Sequence, residues 1–178
     1  AENNINDVIH DSAFDDYGRL IFPVDMEIED NLKLKDVSSI LPWYSEVNTD
    51  KTVEIVNYMK NQAMNGEQIF YPIYSEEEMQ EDPDKKDTGL FFFRGNAGSK
   101  TAIINAGGGF VYVAGIHDSF PHALELSKKG YNAFALIYRP GAQTACEDLA
   151  RAIALLHENA EKLQIDMTEN SLWGGSAA

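Results

Sequence analysis

The C-terminal half of the chain alternates short apolar runs with segments of helical periodicity. Four runs that are apolar or rich in β-favouring residues predict strands, at residues 88–94, 101–106, 132–138 and 171–174. Two segments predict helices, at residues 120–129 and 144–164. From residue 101 onward the order is strand, helix, strand, helix, strand, which predicts right-handed crossovers and a parallel sheet that is covered by helices on both faces.

Local signals place the ends of these two helices. Pro121 suits the first turn of a helix, and Asp118 or Ser119 is expected to cap it. The four residues Thr144-Ala145-Cys146-Glu147 fit a capping box, which predicts that the second helix begins there.

The N-terminal half is less regular. A helix is predicted from about residue 49 to Gly66, and a strand at 68–74, where Pro72 favours an edge position. Residues 75–87 are polar enough for an exposed connection or a loose helical turn, and the first 47 residues show no clear periodicity. We therefore expect an N-terminal extension or cap at 1–67 and the first half of a core domain at 68–178.

Charge is distributed unevenly along the chain. The formal net charge is −15; residues 1–87 hold 21 acidic and 7 basic side chains, and residues 88–178 hold 8 and 7. This excess would repel phosphate backbones and anionic lipid, which argues against nucleic acid and membrane surfaces as partners. The acidic half is interpreted as solvated surface, with an acidic functional patch as the alternative.

Composition restricts the remaining function classes. No apolar run approaches the roughly 20 residues that span a bilayer, so a soluble protein without a membrane span is expected. The chain begins at Ala1 with no signal-peptide core, which fits a cytoplasmic protein or a secreted one whose leader has been removed. Cys146 is the single cysteine, which excludes an intrachain disulfide and a cysteine-cluster metal site.

Three glycines follow the strand predicted at 101–106. Gly107, Gly108 and Gly109 offer backbone N–H groups that no Cβ shields, an arrangement suited to holding an oxyanion. A phosphate-binding loop would need a following lysine, and a dinucleotide site would need a third glycine where Tyr112 stands. A tight turn without chemistry remains the structural alternative.

The sequence ends in small residues around a serine. Gly174-Gly175-Ser176-Ala177-Ala178 follows a predicted strand, as in the strained strand-to-helix turn that exposes a nucleophilic serine. Ala178 departs from the G-x-S-x-G pattern at its last position. Ser176 is therefore the candidate nucleophile, and the alternative is a serine that only eases helix packing.

None of the four histidines is well placed as the base that this serine needs. His10 and His157 are expected at the surface, whereas His117 and His122 could border a pocket. Where a nucleophilic serine lies on a strand-to-helix turn of this kind, the catalytic acid and histidine follow it in the chain. We therefore expect both to lie outside the printed sequence, in a longer polypeptide or a second piece, and the 178 residues to be inactive alone.

Four landmarks together resemble the α/β-hydrolase superfamily. They are 105–110, 132–140, 147–152 and 174–178, and residues 88–178 carry the likeness. The nearest branch is the bacterial esterase/lipase group that includes hormone-sensitive-lipase-like and carbohydrate-esterase-like enzymes. The resemblance implies an α/β-hydrolase fold, a central and mostly parallel sheet with helices on both faces, incomplete in this chain.

The resemblance also implies a reaction and its residues. It implies a serine-dependent carboxylic-ester hydrolase that acts on a small acyl ester, with Ser176 as nucleophile and no metal or cofactor. Backbone N–H groups of Gly108, Gly109 and Ala177 would form the oxyanion hole. Ala106 stands where the group commonly has a histidine that braces the glycine loop. A non-catalytic ligand-binding protein and a serine peptidase acting on short peptides remain as alternatives.

Overall fold

A mixed β-sheet forms the centre of the molecule. The computed structural model describes residues 1–44 and 46–176. Within them the strands are β1 (Phe70–Tyr71), β2 (Gly89–Phe93), β3 (Lys100–Asn105), β4 (Asn132–Ile137) and β5 (Asp166–Gly174). Their spatial order is β1-β2-β4-β3-β5.

The pairing directions fix where the crossover helices lie. β3 pairs in parallel with both β4 and β5, whereas β2 is antiparallel to β1 and β4. The chain therefore steps from β3 to β4 in one direction along the sheet and from β4 back past β3 to β5 in the other. Because such crossovers are right-handed, the two connecting helices lie on opposite faces of the sheet.

Helices occupy most of the chain between the strands. The α-helices in the described residues are α1 (Ile5–Ile9), α2 (Thr49–Met64), α3 (Glu76–Glu81), α4 (Phe120–Lys128), α5 (Ala142–Glu158) and α6 (Ala160–Leu163). Shorter 3₁₀ segments lie at Ser12–Ile21, Leu34–Ser39 and Pro83–Asp87, and one π-helical turn lies at Gly115–Ser119. Every described helix is too short or too polar to cross a bilayer.

Most of the predicted elements are confirmed. The helix from residue 49 is α2, and the Asn48 side chain accepts a hydrogen bond from the N–H of Lys51 at its start. Pro121 lies in the first turn of α4, as predicted. The strand predicted at 171–174 is longer, because β5 begins at Asp166.

The predicted capping box before α5 is wrong. The helix begins at Ala142, so Thr144 lies inside it, and the Thr144 hydroxyl donates to the carbonyl of Pro140 at 2.6 Å. Gly141 precedes the helix with φ 103°, a conformation that glycine adopts without strain. A threonine hydroxyl that bonds back to the preceding turn is compatible with a helix interior, and this explains the error.

The segment around residue 70 is less extended than predicted. Only Phe70–Tyr71 forms a strand, at the edge of the sheet next to β2. Pro72 follows it and has no N–H to continue the ladder. The polar stretch after it is α3, which begins with a capping box between Ser75 and Glu78.

The hydrophobic core combines both halves of the chain. Strands β2 and β4 are buried along their whole length. Fully buried side chains from the N-terminal 67 residues join the same core, among them Ile5, Phe14, Ile21, Leu41 and Ile55. We propose that the two segments differ in role: residues 1–67 shape a pocket, and residues 68–178 supply the sheet.

A buried ion pair joins the end of β4 to α5. Asp148 is fully buried and accepts hydrogen bonds from the Arg139 backbone N–H at 2.7 Å and from Arg139 Nη2 at 2.8 Å. The Tyr74 hydroxyl donates to the same carboxylate at 2.6 Å. These three donors satisfy a charge that would be costly to bury alone.

Removing the buried carboxylate is expected to destabilise the fold strongly. The D148A variant leaves the Arg139 guanidinium with little solvent and without its main partner, and such a change costs about 3–5 kcal/mol. Urea unfolding at neutral pH measures it. E2A is the control, because Glu2 is exposed and its pairing with Lys33 contributes little. A loss in D148A no larger than that in E2A would contradict this account.

Strand β5 is the outer strand of the sheet that the structure describes. It pairs with β3, and the side chains from Thr168 to Trp173 are exposed. Leu172 and Trp173 are about half exposed, at 53% and 47%. The carboxyl end of β5 lies beside the carboxyl end of β3, because Gly174 pairs with Asn105. This register brings the serine turn next to the glycine loop.

Candidate functional site

The glycine loop is a tight turn that only glycine fits at its centre. The N–H groups of Val111 and Tyr112 both donate to the carbonyl of Gly108, at 3.0 and 3.3 Å. A Cβ on Gly108 would lie 1.8 Å from the Tyr112 carbonyl oxygen, far inside van der Waals contact. The backbone of Tyr112 therefore excludes every other residue at position 108.

The three glycine amides of the loop have different roles. The Gly107 N–H donates to Asp118 Oδ2 at 2.8 Å. The N–H groups of Gly108 and Gly109 have no acceptor within residues 1–44 and 46–176. Two adjacent N–H groups without an acceptor are free to donate hydrogen bonds to an oxygen atom that becomes negatively charged during a reaction.

Ser176 lies in a sharp turn directly after β5. Its φ is 55°, in the left-handed region that non-glycine residues seldom occupy. Such a conformation costs on the order of 1–2 kcal/mol, and strain of this kind is concentrated at functional sites. Gly175 before it donates weakly to the Asn105 carbonyl, at 3.4 Å, which ties the turn to the end of β3.

A cavity of about 270 Å³ brings these parts together. Its lining residues are Trp43, Tyr44, Gly108, Gly109, Tyr112, Asp118 and Ser176. Three of the four residues predicted for the site, Ser176, Gly108 and Gly109, therefore face one space. The fourth, Ala177, lies outside the described residues.

Two aromatic residues from the N-terminal half complete the cavity. Trp43 Nε1 donates to the Tyr112 hydroxyl at 2.5 Å, which orients an indole that is 59% exposed. The Tyr44 hydroxyl lies 3.1 Å from the point that a Cβ on Gly107 would occupy. Burial raises the pKa of Tyr44, and the Asp118 carboxylate raises it further, so the hydroxyl keeps its proton at neutral pH.

The prediction that Asp118 or Ser119 caps α4 is wrong. Neither side chain makes a capping hydrogen bond, and both residues belong to the π-helical turn that precedes α4. The Asp118 carboxylate instead points back to the glycine loop. His122 Nε2 lies 3.8 Å from its other oxygen, Oδ1, and the imidazole is largely exposed.

The histidines lie outside the cavity, as far as the structure describes its lining. His10 and His157 are exposed, as predicted. His117 is buried beneath Val37, with its Nε2 3.0 Å from the Val37 carbonyl oxygen. His117 and His122 line a neighbouring pocket together with Asp118, as the sequence allowed, and the described lining of the cavity that holds Ser176 contains no histidine. In the same residues no cluster of three or more His, Cys, Asp or Glu side chains is arranged to hold a metal ion.

The buried imidazole makes stability depend on pH. Burial lowers the pKa of His117 below the usual value of 6.5, so the folded state keeps the ring neutral. The unfolded chain therefore binds more protons below about pH 6.5, and the free energy of unfolding falls as the pH is lowered. We expect the difference in unfolding free energy between wild type and H117Q to shrink from pH 8 to pH 5 in urea titrations. A difference independent of pH would contradict the assignment.

Parts of the chain are similar to solved structures of hydrolases. The chain is similar to an acetyl ester-xyloside bifunctional hydrolase from Caldicellulosiruptor lactoaceticus, with 27% identity, a TM-score of 0.54, and coverage of 61% of this chain and 42% of that one. A sugar hydrolase from Lactococcus lactis matches at 25% identity and a TM-score of 0.44, over 51% of this chain and 39% of that one. No protein-family model and no curated protein matches the sequence.

The extent of the match limits what it shows. The chain spans about two fifths of the length of these two matched structures, 42% and 39%. The match to the Caldicellulosiruptor enzyme, together with the order and direction of β2 to β5, confirms the predicted fold class. The chain has a mixed α/β fold that is similar to part of an α/β-hydrolase domain of the esterase group.

Proposed function

We propose that the protein is a serine-dependent carboxylic-ester hydrolase with Ser176 as its nucleophile. One observation carries the proposal. A serine in a left-handed turn shares a cavity with two backbone amides that have no acceptor among the described residues. A nucleophile and an oxyanion site facing one space are the two parts that acyl transfer needs.

The reaction follows from the positions of these groups. Ser176 Oγ attacks the acyl carbon and gives up its proton to a base, and the carbonyl electrons move onto oxygen. The N–H groups of Gly108 and Gly109, with Ala177 as the proposed third donor, hold that oxyanion. Collapse breaks the ester bond, and the leaving alkoxide takes the proton from the base. Water then attacks the acyl-enzyme by the same route and releases the acid and the free serine.

The base is not among the described residues that line the cavity. Serine hydrolases use a histidine oriented by a carboxylate, and none of the four histidines of the chain takes that place. The proposal therefore requires an imidazole from outside this set. The same observation favours the second candidate, a non-catalytic protein that binds a small ligand in the cavity.

The size of the cavity suggests the substrate class. About 270 Å³ accommodates a short acyl group, and its walls combine aromatic rings with the polar loop amides. The Caldicellulosiruptor enzyme is described as acting on an acetyl ester. We therefore propose esters of short carboxylic acids as substrates. A serine peptidase acting on short peptides is the alternative within the enzymes, because the same nucleophile and oxyanion amides also serve amide cleavage.

A substrate panel on the protein produced from its complete gene tests the proposal. Aryl acetate, aryl octanoate and a dipeptide anilide are compared at equal concentration. We expect the acetate to be hydrolysed fastest and the anilide not at all. Preference for the anilide would assign the protein to the peptidases. Saturable binding of the acetate without turnover would support the non-catalytic ligand-binding protein.

A further inference from the structure

The Asp118 side chain is bonded to the glycine loop and lies beside the residue that precedes Ser176. Its Oδ2 accepts the Gly107 N–H at 2.8 Å on the glycine loop. The same oxygen lies 3.0 Å from the point that a Cβ on Gly175 would occupy, directly before the serine turn. The side chain is 18% exposed and lines the cavity together with Ser176.

A closed ring of hydrogen bonds holds this carboxylate in place. The Gly107 N–H donates to the Asp118 carboxylate, and the Asp118 N–H donates to the Ala114 carbonyl at 2.8 Å. The Ala114 N–H donates back to the Gly107 carbonyl at 3.1 Å. The loop and the π-helical turn are therefore joined in both directions, and the carboxylate cannot move without breaking one of these bonds.

The residue before the loop provides no comparable support. Ala106 has only a methyl group, and its carbonyl accepts the Tyr138 hydroxyl from the side of β4. The next backbone group of the loop that is held by a hydrogen bond is the Gly107 N–H, and its acceptor is the charged Asp118 carboxylate. A hydrogen bond from an amide to a carboxylate is stronger than one between neutral groups, so it suits a loop rich in glycine.

We propose that Asp118 is a positioning residue that sets the separation between the oxyanion amides and Ser176. It fixes the glycine loop through the hydrogen bond from the Gly107 N–H. Its Oδ2 also occupies the space that a side chain at position 175, directly before Ser176, would need. It also occupies the first amide of the loop, which leaves the amides of Gly108 and Gly109 to face the cavity. The role of the amides as an oxyanion site rests on the proposed function. The position of Asp118 rests on the hydrogen-bond ring.

The test compares two Asp118 variants with a matched aspartate elsewhere. D118A removes the carboxylate, and D118N keeps its shape and one neutral acceptor. D166N is the control, because Asp166 also accepts a backbone N–H, from Thr168 at 2.8 Å, at the opposite end of β5. Amide hydrogen exchange and ¹H–¹⁵N spectra of the protein produced from its complete gene measure Gly107, Gly175 and Ser176 directly and do not require catalysis.

We expect exchange at Gly107 to accelerate about tenfold or more in D118A, and less in D118N. We also expect the Gly175 and Ser176 resonances to shift in D118A and to stay unchanged in D166N. A change confined to Gly107, or shifts in D166N as large as those in D118A, would overturn the positioning role. If D118A does not fold, D118N is scored against D166N by the same two criteria.

An activity measurement separates this inference from the proposed function. In protein that hydrolyses an aryl acetate, D118N is expected to lower kcat about tenfold at nearly constant KM, because the substrate still fits but the oxyanion amides are displaced. If wild type hydrolyses no ester, the proposed function fails, and the spectra still decide whether Asp118 couples the two segments. If kcat is unchanged in D118N, the positioning role fails while the hydrolase proposal stands.

Discussion

The S176A variant is expected to lose ester hydrolysis by a factor of about 10⁴ or more. The hydroxyl is the only group that forms the acyl-enzyme in the proposed reaction, and alanine cannot replace it. The remaining rate would come from binding and from the oxyanion amides alone. Alanine carries the same Cβ, so the strain of the φ of 55° and the fold are expected to be retained.

The matched control for this variant is S171A. Ser171 lies on β5, five positions before Ser176 and outside the described lining of the cavity, where it accepts a hydrogen bond from the indole N–H of Trp173. S171A is expected to hydrolyse an aryl acetate at the wild-type rate. Initial rates at saturating substrate distinguish the two variants. An S176A protein that retains more than about one hundredth of the wild-type rate would remove Ser176 from the mechanism.

The G108A variant is expected to lower kcat by about 10²–10³, the effect of losing an oxyanion donor. An added methyl group would lie 1.8 Å from the Tyr112 carbonyl oxygen. The backbone at residue 108 and the backbone at Tyr112 must therefore move apart. The movement displaces the Gly108 and Gly109 amides from the cavity. Because the substrate still reaches the aromatic rim, KM is expected to change much less than kcat.

Two glycine variants separate this clash from backbone strain. Gly98 and Gly109 both have positive φ, 74° and 61°, and a Cβ on either would have no described neighbour within 4 Å. G98A lies far from the site and should lower the melting temperature slightly without changing kcat. G109A adds strain inside the loop without a clash, so an intermediate kcat is expected. If G108A and G98A have equal kcat values, the loop is not the oxyanion site.

The elements that carry the site could be predicted because their signals are local. The strand before the glycines is a short apolar run, a pattern that buried parallel strands have. The strand before Ser176 is marked by Leu172 and Trp173 and by the glycines that follow, although its side chains are exposed. The order of strands and helices then brings their carboxyl ends to one edge of the sheet. That is why Ser176, Gly108 and Gly109, read from separate motifs, line one cavity.

The rest of the site depends on contacts that no local pattern encodes. Trp43 reaches Tyr112 across 69 positions, and the 3₁₀ segments of the N-terminal region bury side chains without helical periodicity. Asp118 has the sequence context of a helix cap, but the π-helical turn redirects it to Gly107. The available signal was an aspartate between His117 and His122, two residues before α4 and eleven positions after Gly107.

Covalent labelling with a fluorophosphonate tests the central claim most directly. The reagent is applied to the protein produced from its complete gene and to its S176A variant, and intact mass and peptide mapping locate the adduct. The account predicts one adduct per chain, on Ser176, and none in S176A. An unlabelled wild type, or an adduct that persists in S176A, would contradict the assignment of Ser176 as the nucleophile.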